Sequence, residues 1–471
     1  MLDKTTPQLA RLLARGEISA LELMRASLAR IAALNPRHNA LVNLRDDAAL
    51  LAEARASDRR LRAGKARGPL EGLPTALKDT APAKGLPSTS GSPLFRDAVP
   101  DFDALSVGRI RAAGAIVVGR SNVPEFGFGS HSYNTVFGTT RNAWDPALSA
   151  GGSSGGAAVA VALGMVPLAD GSDVLGSLRN PAAWNNLFGF RPSAGRIPVV
   201  PHLDAFWGQL YTEGPMGRTV EELRFLLAVQ AGPDPRAPLA LPADAALGKA
   251  SLKVPVKGRR ILWLGDLGGH LPFDPGILPL CEKALSAFRA QGCKVSAGAP
   301  ALDWEATWQA FIALRHYEIG LRYEAIYADP AKRAQMKPEA QWEVEGFLRL
   351  TGVQLAAAAK QRHALFQAFA TVFETYDAVA IPTAQCFAFP AEWDWPKQVG
   401  GRAMDSYHRW MEVTALATML GCPAANVPVG FDAGRPMGMQ LIGRPGADLA
   451  TLQLARAYQE ATPWAAMRPA P

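Results

Sequence analysis

The sequence holds few of the residues that mark disulfide-rich or metal-binding proteins. Its 471 residues include only four cysteines, Cys281, Cys293, Cys386 and Cys422. None forms a C-x-x-C pair, and no histidine lies near them at the spacing of metal ligands. We therefore expect no disulfide framework and no bound metal, and the cysteine usage fits a reducing, cytoplasmic compartment.

Long hydrophobic runs and blocks of like charge are also missing. No apolar stretch approaches the roughly 20 residues that span a bilayer, and Met1–Pro7 lacks the apolar segment of a signal peptide. Basic residues exceed acidic ones by 49 to 42, but they are scattered, and the cluster Lys257–Arg260 leads directly into an apolar run typical of a strand. These absences predict a soluble protein that binds neither membrane nor nucleic acid.

What the sequence does have is a mixture of helix and strand patterns throughout, which favours an α/β fold with a large central sheet. Ser19 and Glu22 form a capping-box pattern before a helix that we expect to end at Asn35–Pro36. The other predicted elements are a helix at 103–111, a strand at 115–119, a buried helix at 157–163, a strand at 165–169, a β-α-β unit at 257–296, helices through 303–375, strands at 378–381 and 438–443, and a helix at Asp448–Glu460.

The first of three chemically suggestive segments is Gly72–Asp79, an apolar run that ends in Lys78 and Asp79. Taken alone, Lys78 is best explained as a surface residue at a strand end, because lysine is rarely buried. A lysine acts as a general base only where burial lowers its pKa toward neutrality.

The second segment is a glycine- and serine-rich loop, Ser149–Gly156, which runs directly into an apolar helix. A flexible linker would not abut a core helix, so we expect a loop whose backbone N–H groups point at one spot. The phosphate-loop pattern is absent. The match to G-x-S-x-G is weak, because the residues before it are typical of a loop rather than a strand.

In the third segment, Asp170–Pro181, a predicted strand ends at a tight glycine turn with Ser177 where a helix could begin. An N-capping serine is the simplest explanation of Ser177 by itself, although backbone N–H groups at such a turn could also form an oxyanion hole. A serine nucleophile needs a group that takes its proton. The seven histidines lie in no recognised catalytic motif.

Together and in this order, the three segments resemble the amidase signature family, whose hallmarks are a Gly-Gly-Ser-Ser-Gly-Gly loop and an Asp-x-x-Gly-Ser-x-Arg segment. Ser153 follows Lys78 by 75 residues, and Ser177 follows Ser153 by 24. Asn122–Gly127 and Pro423–Gly430 are also similar to the family, and the likeness covers nearly the whole chain.

The resemblance implies the amidase signature fold, a large twisted mixed β-sheet core flanked by many α-helices, in a single domain spanning 1–471. The expected portions are an N-terminal helical segment at 1–65, a signature core at 66–200, a β-α-β and helical portion at 257–375, and C-terminal strands and a helix at 376–465.

The resemblance also implies hydrolysis of a carboxamide to a carboxylate and ammonia or an amine, through a seryl acyl-enzyme and without a cofactor. Ser177 would be the nucleophile, Lys78 the neutral base, and Ser153, after a cis Gly152–Ser153 bond, the proton relay. The implied oxyanion hole is formed by the backbone N–H groups of Val174, Leu175, Gly176 and Ser177.

Three further residues match family positions that brace the triad: Ser154, Asp173 and Arg179. A surface ion pair is the simpler explanation of Asp173 and Arg179. Where many members carry Gly-Gly before the nucleophile, this chain has Leu175-Gly176, so we expect a narrower space beside the oxyanion hole.

Four aromatic residues near these segments are candidates for the wall of a substrate pocket, with the protein core as the alternative place for each. They are Phe126, Phe128, Tyr133 and Trp184.

Several functions stay open beside amide hydrolysis of a small molecule. The same site would serve a carboxylesterase or an aryl acylamidase, or the amidase subunit of a tRNA-dependent amidotransferase. A non-catalytic binding protein would not require all three triad residues, and the glycine-rich Gly265–Gly269 does not complete a nucleotide-binding pattern. A homodimer is also left open.

Overall fold

Strands and helices alternate along the chain, which the computed structural model describes over residues 1–470. The strands are β1 (Leu41–Val42), β2 (Pro74–Lys78), β3 (Ile116–Ser121), β4 (Tyr133–Asn134), β5 (Gly138–Thr139), β6 (Leu168–Asp173), β7 (Phe188–Arg191), β8 (Thr212–Gly217), β9 (Arg260–Trp263), β10 (Lys294–Ala297), β11 (Ala378–Pro382), β12 (Gln398–Val399), β13 (Arg402–Ala403), β14 (Ala424–Asp432) and β15 (Arg435–Gly443).

The α-helices range from single turns to helices of more than 20 residues. They are α1 (Thr6–Ala14), α2 (Ala20–His38), α3 (Asp47–Arg62), α4 (Leu105–Ala112), α5 (Gly155–Ala162), α6 (Asn180–Trp184), α7 (Val220–Gln230), α8 (Ala245–Lys249), α9 (Ile277–Ala284), α10 (Ser286–Ala290), α11 (Trp304–Ala328), α12 (Pro330–Arg333), α13 (Pro338–Arg349), α14 (Gly352–Thr375), α15 (Ala415–Leu420) and α16 (Asp448–Glu460).

One mixed sheet of 11 strands organises the described residues, in the order β1-β3-β2-β6-β8-β7-β14-β15-β11-β9-β10. β2 lies parallel to both β3 and β6, and β9 is parallel to β10 and β11. The other neighbouring strands are antiparallel. The predicted α/β fold with a large mixed sheet is confirmed.

Apolar side chains on the sheet and its helices form two large cores. One packs α1, α2 and α5 around β2, β3 and β6. The other packs α9, α14 and α16 around β9, β11, β14 and β15. Every residue of α5 is buried, which explains why its sequence contains only glycine, alanine and valine.

The predicted start of α2 is confirmed, and its predicted end is wrong. Ser19 Oγ accepts the N–H of Glu22 at 3.1 Å, and the Glu22 carboxylate accepts the N–H of Ser19 at 2.8 Å. The helix continues past Pro36 to His38. Pro36 and Ala32 are exposed, so water can bond the Ala32 carbonyl group, which the proline leaves without a donor.

The remaining predicted elements are present, most of them with shifted ends. The β-α-β unit is confirmed, since β9 and β10 pair in parallel, and α16 has the predicted bounds. The strand expected at 165–169 begins only at Leu168. Met165 instead donates its N–H back to Ala160 O at 2.8 Å, and Pro167 has no N–H to give to a neighbouring strand.

The sheet brings the three suggestive segments to one edge. β2 and β6 are adjacent and parallel, so their carboxyl ends, and the residues that follow them, lie side by side. The glycine- and serine-rich loop enters α5, which packs on β6. Residues 1–470 contain no helix long and apolar enough to cross a membrane, and the four cysteines are free and buried.

Candidate active site

Lys78, at the carboxyl end of β2, is enclosed by the two segments that follow it in the sequence. Its side chain is 1% exposed. The Nζ atom lies 2.8 Å from Ser153 Oγ and 2.9 Å from Ser172 Oγ. The simple explanation of Lys78 as a surface residue is therefore wrong, because β2 is an interior strand between β3 and β6.

Burial controls the charge of Lys78. Loss of hydration lowers the pKa of its ammonium group to about 7, and the nearby Asp170, Asp173 and Glu213 carboxyl groups oppose that shift. A large fraction of Lys78 is consequently neutral at neutral pH, as a general base must be.

The loop before α5 holds Ser153 in a space that only small residues fit. The Gly152–Ser153 peptide bond is cis, as the family resemblance implied. A Cβ on Gly155 would lie 2.4 Å from Ser132 Oγ, so this turn tolerates no side chain. Ser154 Oγ lies 3.4 Å from both the N and O atoms of Ser172, and therefore ties the loop to β6.

Ser177 follows β6 on a turn that requires glycine. Gly176 has φ +87°, and a Cβ there would lie 2.7 Å from Thr414 Cγ2. Within residues 1–470 the Ser177 hydroxyl makes no hydrogen bond of 3.5 Å or less, and Ser177 lines the same cavity as Ser153. Catalytic hydrogen bonds of this kind often tighten only when substrate is bound.

Asp173 holds this turn from within the protein. Its carboxylate lies 2.8 Å from Arg179 Nη2 and 3.1 Å from Arg191 Nη1, and all three side chains are fully buried. The two guanidinium groups hold the pKa of Asp173 well below its usual range, against the effect of burial. The alternative of a surface ion pair between Asp173 and Arg179 is wrong, because α6 and β7 place both arginines inside the fold.

One of the four implied oxyanion donors is already engaged. Gly176 donates its N–H to Asp173 Oδ1 at 3.0 Å, so the implied role of Gly176 has to be corrected. Among the described residues, the N–H groups of Val174, Leu175 and Ser177 have no hydrogen-bond acceptor. Thr418 donates its hydroxyl to Val174 O at 2.6 Å, which fixes the start of the turn.

The cavity in front of the serines is small, with a volume of about 70 Å³. Its apolar wall includes Leu175, as expected from its position beside the turn. The other large apolar side chains of the wall are Phe126, Phe128, Ile319, Tyr323 and Met411.

Two of the four aromatic candidates do not reach this cavity. Trp184 is fully buried in the core, where its ring stacks on Trp410 at 5.9 Å and its Nε1–H donates to Cys386 O at 3.2 Å. Tyr133 packs against His131 at 4.9 Å and under the Lys337 ammonium group at 5.0 Å. Both were predicted as pocket residues, and both instead stabilise the surrounding structure.

The sequence did not reveal the part of the wall that α11 supplies. Arg315, Ile319, Arg322 and Tyr323 lie on one face of the helix and line the cavity. Their i, i+4, i+7, i+8 spacing is a visible signal of a helix face. Nothing in the sequence indicates that this face meets a loop more than 100 residues earlier.

The two arginines of this face differ in their surroundings. Arg315 Nε lies 2.5 Å from the buried Glu343 carboxylate, and Arg315 Nη2 lies 2.9 Å from the Tyr407 hydroxyl. The Arg322 guanidinium carbon lies 5.9 Å from the centre of the Tyr211 ring. Arg315 therefore fixes the wall to α13, while Arg322 stands at the cavity surface.

No group of three or more histidine, cysteine, aspartate or glutamate side chains in residues 1–470 is arranged to hold a metal ion. The groups placed for chemistry are two serine hydroxyls, a lysine of lowered pKa and free backbone N–H groups. Such a set can form and break a covalent acyl bond.

Comparisons with known proteins agree with this chemistry. The family model described as Amidase matches residues 22–452. An acylamidase of Rhodococcus erythropolis is 34% identical over 98% of this chain and 96% of its own length. A glutamyl-tRNA(Gln) amidotransferase subunit from Chloroflexus aurantiacus is 35% identical over 97% of this chain and 96% of its own length.

Solved structures show the same likeness. A bacterial aryl acylamidase described as an amidase signature enzyme superposes with a TM-score of 0.92 at 30% identity, covering 99% of both chains. A 6-aminohexanoate cyclic dimer hydrolase superposes with a TM-score of 0.88 at 26% identity, again over 99% of both chains.

Proposed function

The chain belongs to the amidase signature family and hydrolyses carboxamide C–N bonds, and we propose that Lys78, Ser153 and Ser177 carry out this reaction. The observation that carries the proposal is the buried Lys78 Nζ, 2.8 Å from Ser153 Oγ, in a cavity wall that also presents Ser177. No other lysine in the described chain has two serine hydroxyls within 3.0 Å of its Nζ.

In the proposed first step, Ser177 Oγ attacks the amide carbonyl carbon. Its proton passes to Ser153 while the Ser153 proton passes to neutral Lys78, which becomes an ammonium group. The negative charge on the carbonyl oxygen is stabilised by the free N–H groups of Leu175 and Ser177.

In the second step the tetrahedral intermediate collapses. The C–N bond breaks, and the proton held by Lys78 returns through Ser153 to the leaving amine, so that ammonia or a neutral amine departs. Water then attacks the ester on Ser177 with the same two groups accepting its proton. The bond between Ser177 Oγ and the acyl carbon then breaks, and the proton on Lys78 returns through Ser153 to Ser177 Oγ. The acid product leaves, and Lys78 is again neutral.

For the substrate, we propose a small amide with an apolar acyl or aryl group. The apolar wall formed by Phe126, Phe128, Ile319 and Tyr323 supports this proposal, as does the likeness to an acylamidase and an aryl acylamidase. Leu175 lies beside the proposed oxyanion donors and would limit the size of the group attached to the carbonyl carbon.

The test combines turnover with covalent labelling by a fluorophosphonate. Wild-type protein should hydrolyse an anilide and take up the label, whereas Ser177→Ala should do neither. Ser286→Ala, which removes an exposed hydroxyl on α10, is the matched control and should match wild type. Labelling that persists on Ser177→Ala protein would show that another residue is the nucleophile. Comparing the anilide with its matching ester would then decide between an amidase and a carboxylesterase.

A second candidate is the amidase subunit of a tRNA-dependent amidotransferase. The identity to amidotransferase subunits over nearly the whole chain favours it. Glutaminase activity measured with and without aminoacylated tRNA and partner subunits separates the two. Release of glutamate that depends on them would favour the second candidate, and anilide turnover without them the first.

Two expectations from the sequence also become proposals. We propose that the chain acts as a single domain, which is supported by one sheet that joins β1 near the N-terminus to β15 near the C-terminus. We also propose a cytoplasmic location, because the four cysteines are free and buried, as is usual in reducing compartments.

A further inference from the structure

Two buried carboxyl groups lie behind Lys78, and the steps proposed above use neither. Asp170 is 2% exposed and Glu213 is 5% exposed. Among residues 1–470, neither has a side-chain nitrogen of lysine, arginine or histidine within 4.0 Å. Asp170 Oδ1 accepts the backbone N–H of Lys78 at 2.8 Å, and Glu213 Oε1 accepts the Tyr211 hydroxyl at 3.4 Å. A buried carboxyl group without an ion-pair partner is unusual and calls for a reason.

Strand register places Glu213 beside the lysine. Ser172 of β6 lies directly opposite Glu213 of β8, and directly opposed residues of antiparallel strands present their side chains on the same face. Asp170 lies two residues before Ser172 and so shares that face. Because Ser172 Oγ is 2.9 Å from Lys78 Nζ, the lysine, the serine and the glutamate form one buried row.

Few other charged groups face this row. α5, which packs on β8, contributes only glycine, alanine and valine. The other titratable, charged or hydroxyl side chains on the elements around Glu213 are Ser106, Arg109 and Arg111 of α4, Asp170 and Asp173 of β6, Arg191 of β7, Tyr211 before β8, Thr212 of β8, and Glu221, Glu222 and Arg224 of α7. Arg191 is paired with Asp173, and Glu222 is paired with Arg218 at the far end of β8. Lys78 is the cation that acts most strongly on Glu213.

We propose that Glu213 is a positioning residue that sets the pH at which Lys78 becomes a working base. When Glu213 is ionised, its negative charge holds the proton on Lys78. When Glu213 is protonated, that attraction is gone and Lys78 is neutral. Lys78 and Glu213 share one proton: either the Lys78 ammonium group faces ionised Glu213, or neutral Lys78 faces protonated Glu213. The net charge of the buried row is the same in both states. The inference rests on the proposed role of Lys78 as the base.

The two groups titrate in the same range. Burial raises the pKa of Glu213 to about 7 and lowers the pKa of Lys78 to about 7. Two interacting groups of this kind share their titration steps, so a change at Glu213 is expected to appear in the pH dependence of every step that needs neutral Lys78.

The test is the pH dependence of the rate at which a fluorophosphonate labels Ser177. Glu213→Gln keeps the shape and removes the negative charge, so Lys78 should lose its proton at lower pH. The acid limb of the labelling profile should move down by about one pH unit, which raises the rate on that limb about tenfold. The matched control is Glu318→Gln, which changes a half-buried carboxyl group on α11 near Arg322. This variant should leave the acid limb in place.

An acid limb of Glu213→Gln that coincides with wild type, or that moves to higher pH, overturns the inference. If Glu213→Gln does not fold, Tyr211→Phe carries the test, because it removes the hydroxyl that favours ionised Glu213 and should move the acid limb in the same direction by a smaller amount. An unchanged acid limb in Tyr211→Phe then overturns the inference. Failure of the proposed function looks different, since wild-type Ser177 would not be labelled at all.

Discussion

Asp173→Asn is the substitution for which the structure gives the clearest expected magnitude. The change keeps the side-chain shape and removes a negative charge that two fully buried arginines share, Arg179 and Arg191. Removing one member of a buried ion pair leaves uncompensated charge and costs about 3–5 kcal/mol. One amide oxygen remains to accept a hydrogen bond, so we expect a loss near the middle of that range.

The expected change in melting temperature follows from the size of the chain. The entropy of unfolding is about 2.1 cal/mol/K per residue, or roughly 1 kcal/mol/K for this chain. The melting temperature of Asp173→Asn should therefore fall by about 4 °C, measured by circular dichroism. Anilide turnover should fall as well, because Asp173 holds the N–H groups of Gly176 and Leu178 at 3.0 and 3.1 Å and so shapes the turn before and after Ser177.

The lowered pKa of Asp173 predicts how its contribution to stability depends on pH. The folded pKa of Asp173 is depressed, so its stabilisation is present above the unfolded pKa, about 3.9, and is lost as pH falls through the lower folded value. The gap between wild type and Asp173→Asn should thus be constant from about pH 5 upward. The control is Glu17→Gln, which breaks an exposed pair with Arg15 and should not move the midpoint. A melting temperature of Asp173→Asn equal to that of wild type would refute the reasoning.

Three further predictions concern catalysis and the cavity. Lys78→Ala should lower kcat/KM by roughly 10²–10⁴-fold, and it should abolish the rise in activity that we expect of wild type as pH increases through about 7, the pKa of Lys78. Near-wild-type activity at every pH would exclude Lys78 as the base. Leu175→Ala should raise the kcat/KM ratio of a bulky over a small acyl group about tenfold or more, and an unchanged ratio would show that Leu175 does not limit the acyl group. Glu343→Gln should raise KM and lower the melting temperature, because it leaves Arg315 of the cavity wall without its buried carboxylate; unchanged values of both would mean that the pair does not hold the wall.

Local signals were sufficient for many elements of the fold. The capping box at Ser19 and Glu22, the β-α-β unit, and the helix Asp448–Glu460 all depend on residues close together in the sequence, and the structure has them. The error at Pro36 arose because the effect of a proline depends on whether its neighbours are exposed, and exposure is decided by the rest of the fold.

At the candidate site, too, some features could be predicted from the sequence and others could not. The family resemblance of the segments that contain Lys78, Ser153 and Ser177 was enough to predict amide hydrolysis, although each residue alone had a simpler explanation. The surroundings of these three residues could not be predicted in the same way. Trp184 is near the nucleophile in sequence but points into the core, and the backbone N–H of Gly176 is taken by Asp173.

By itself, then, the sequence determined the family, the reaction and the three candidate reacting side chains, because these depend on residue identity in fixed short segments. Only the tertiary structure decided that Lys78 is buried beside Ser153 and Ser172, that Glu213 stands opposite Ser172, and that α11 closes the cavity. The physical reason is that burial, pKa and cavity shape depend on which distant segments the sheet and helices bring into contact, and spacing along the chain carries no record of those contacts.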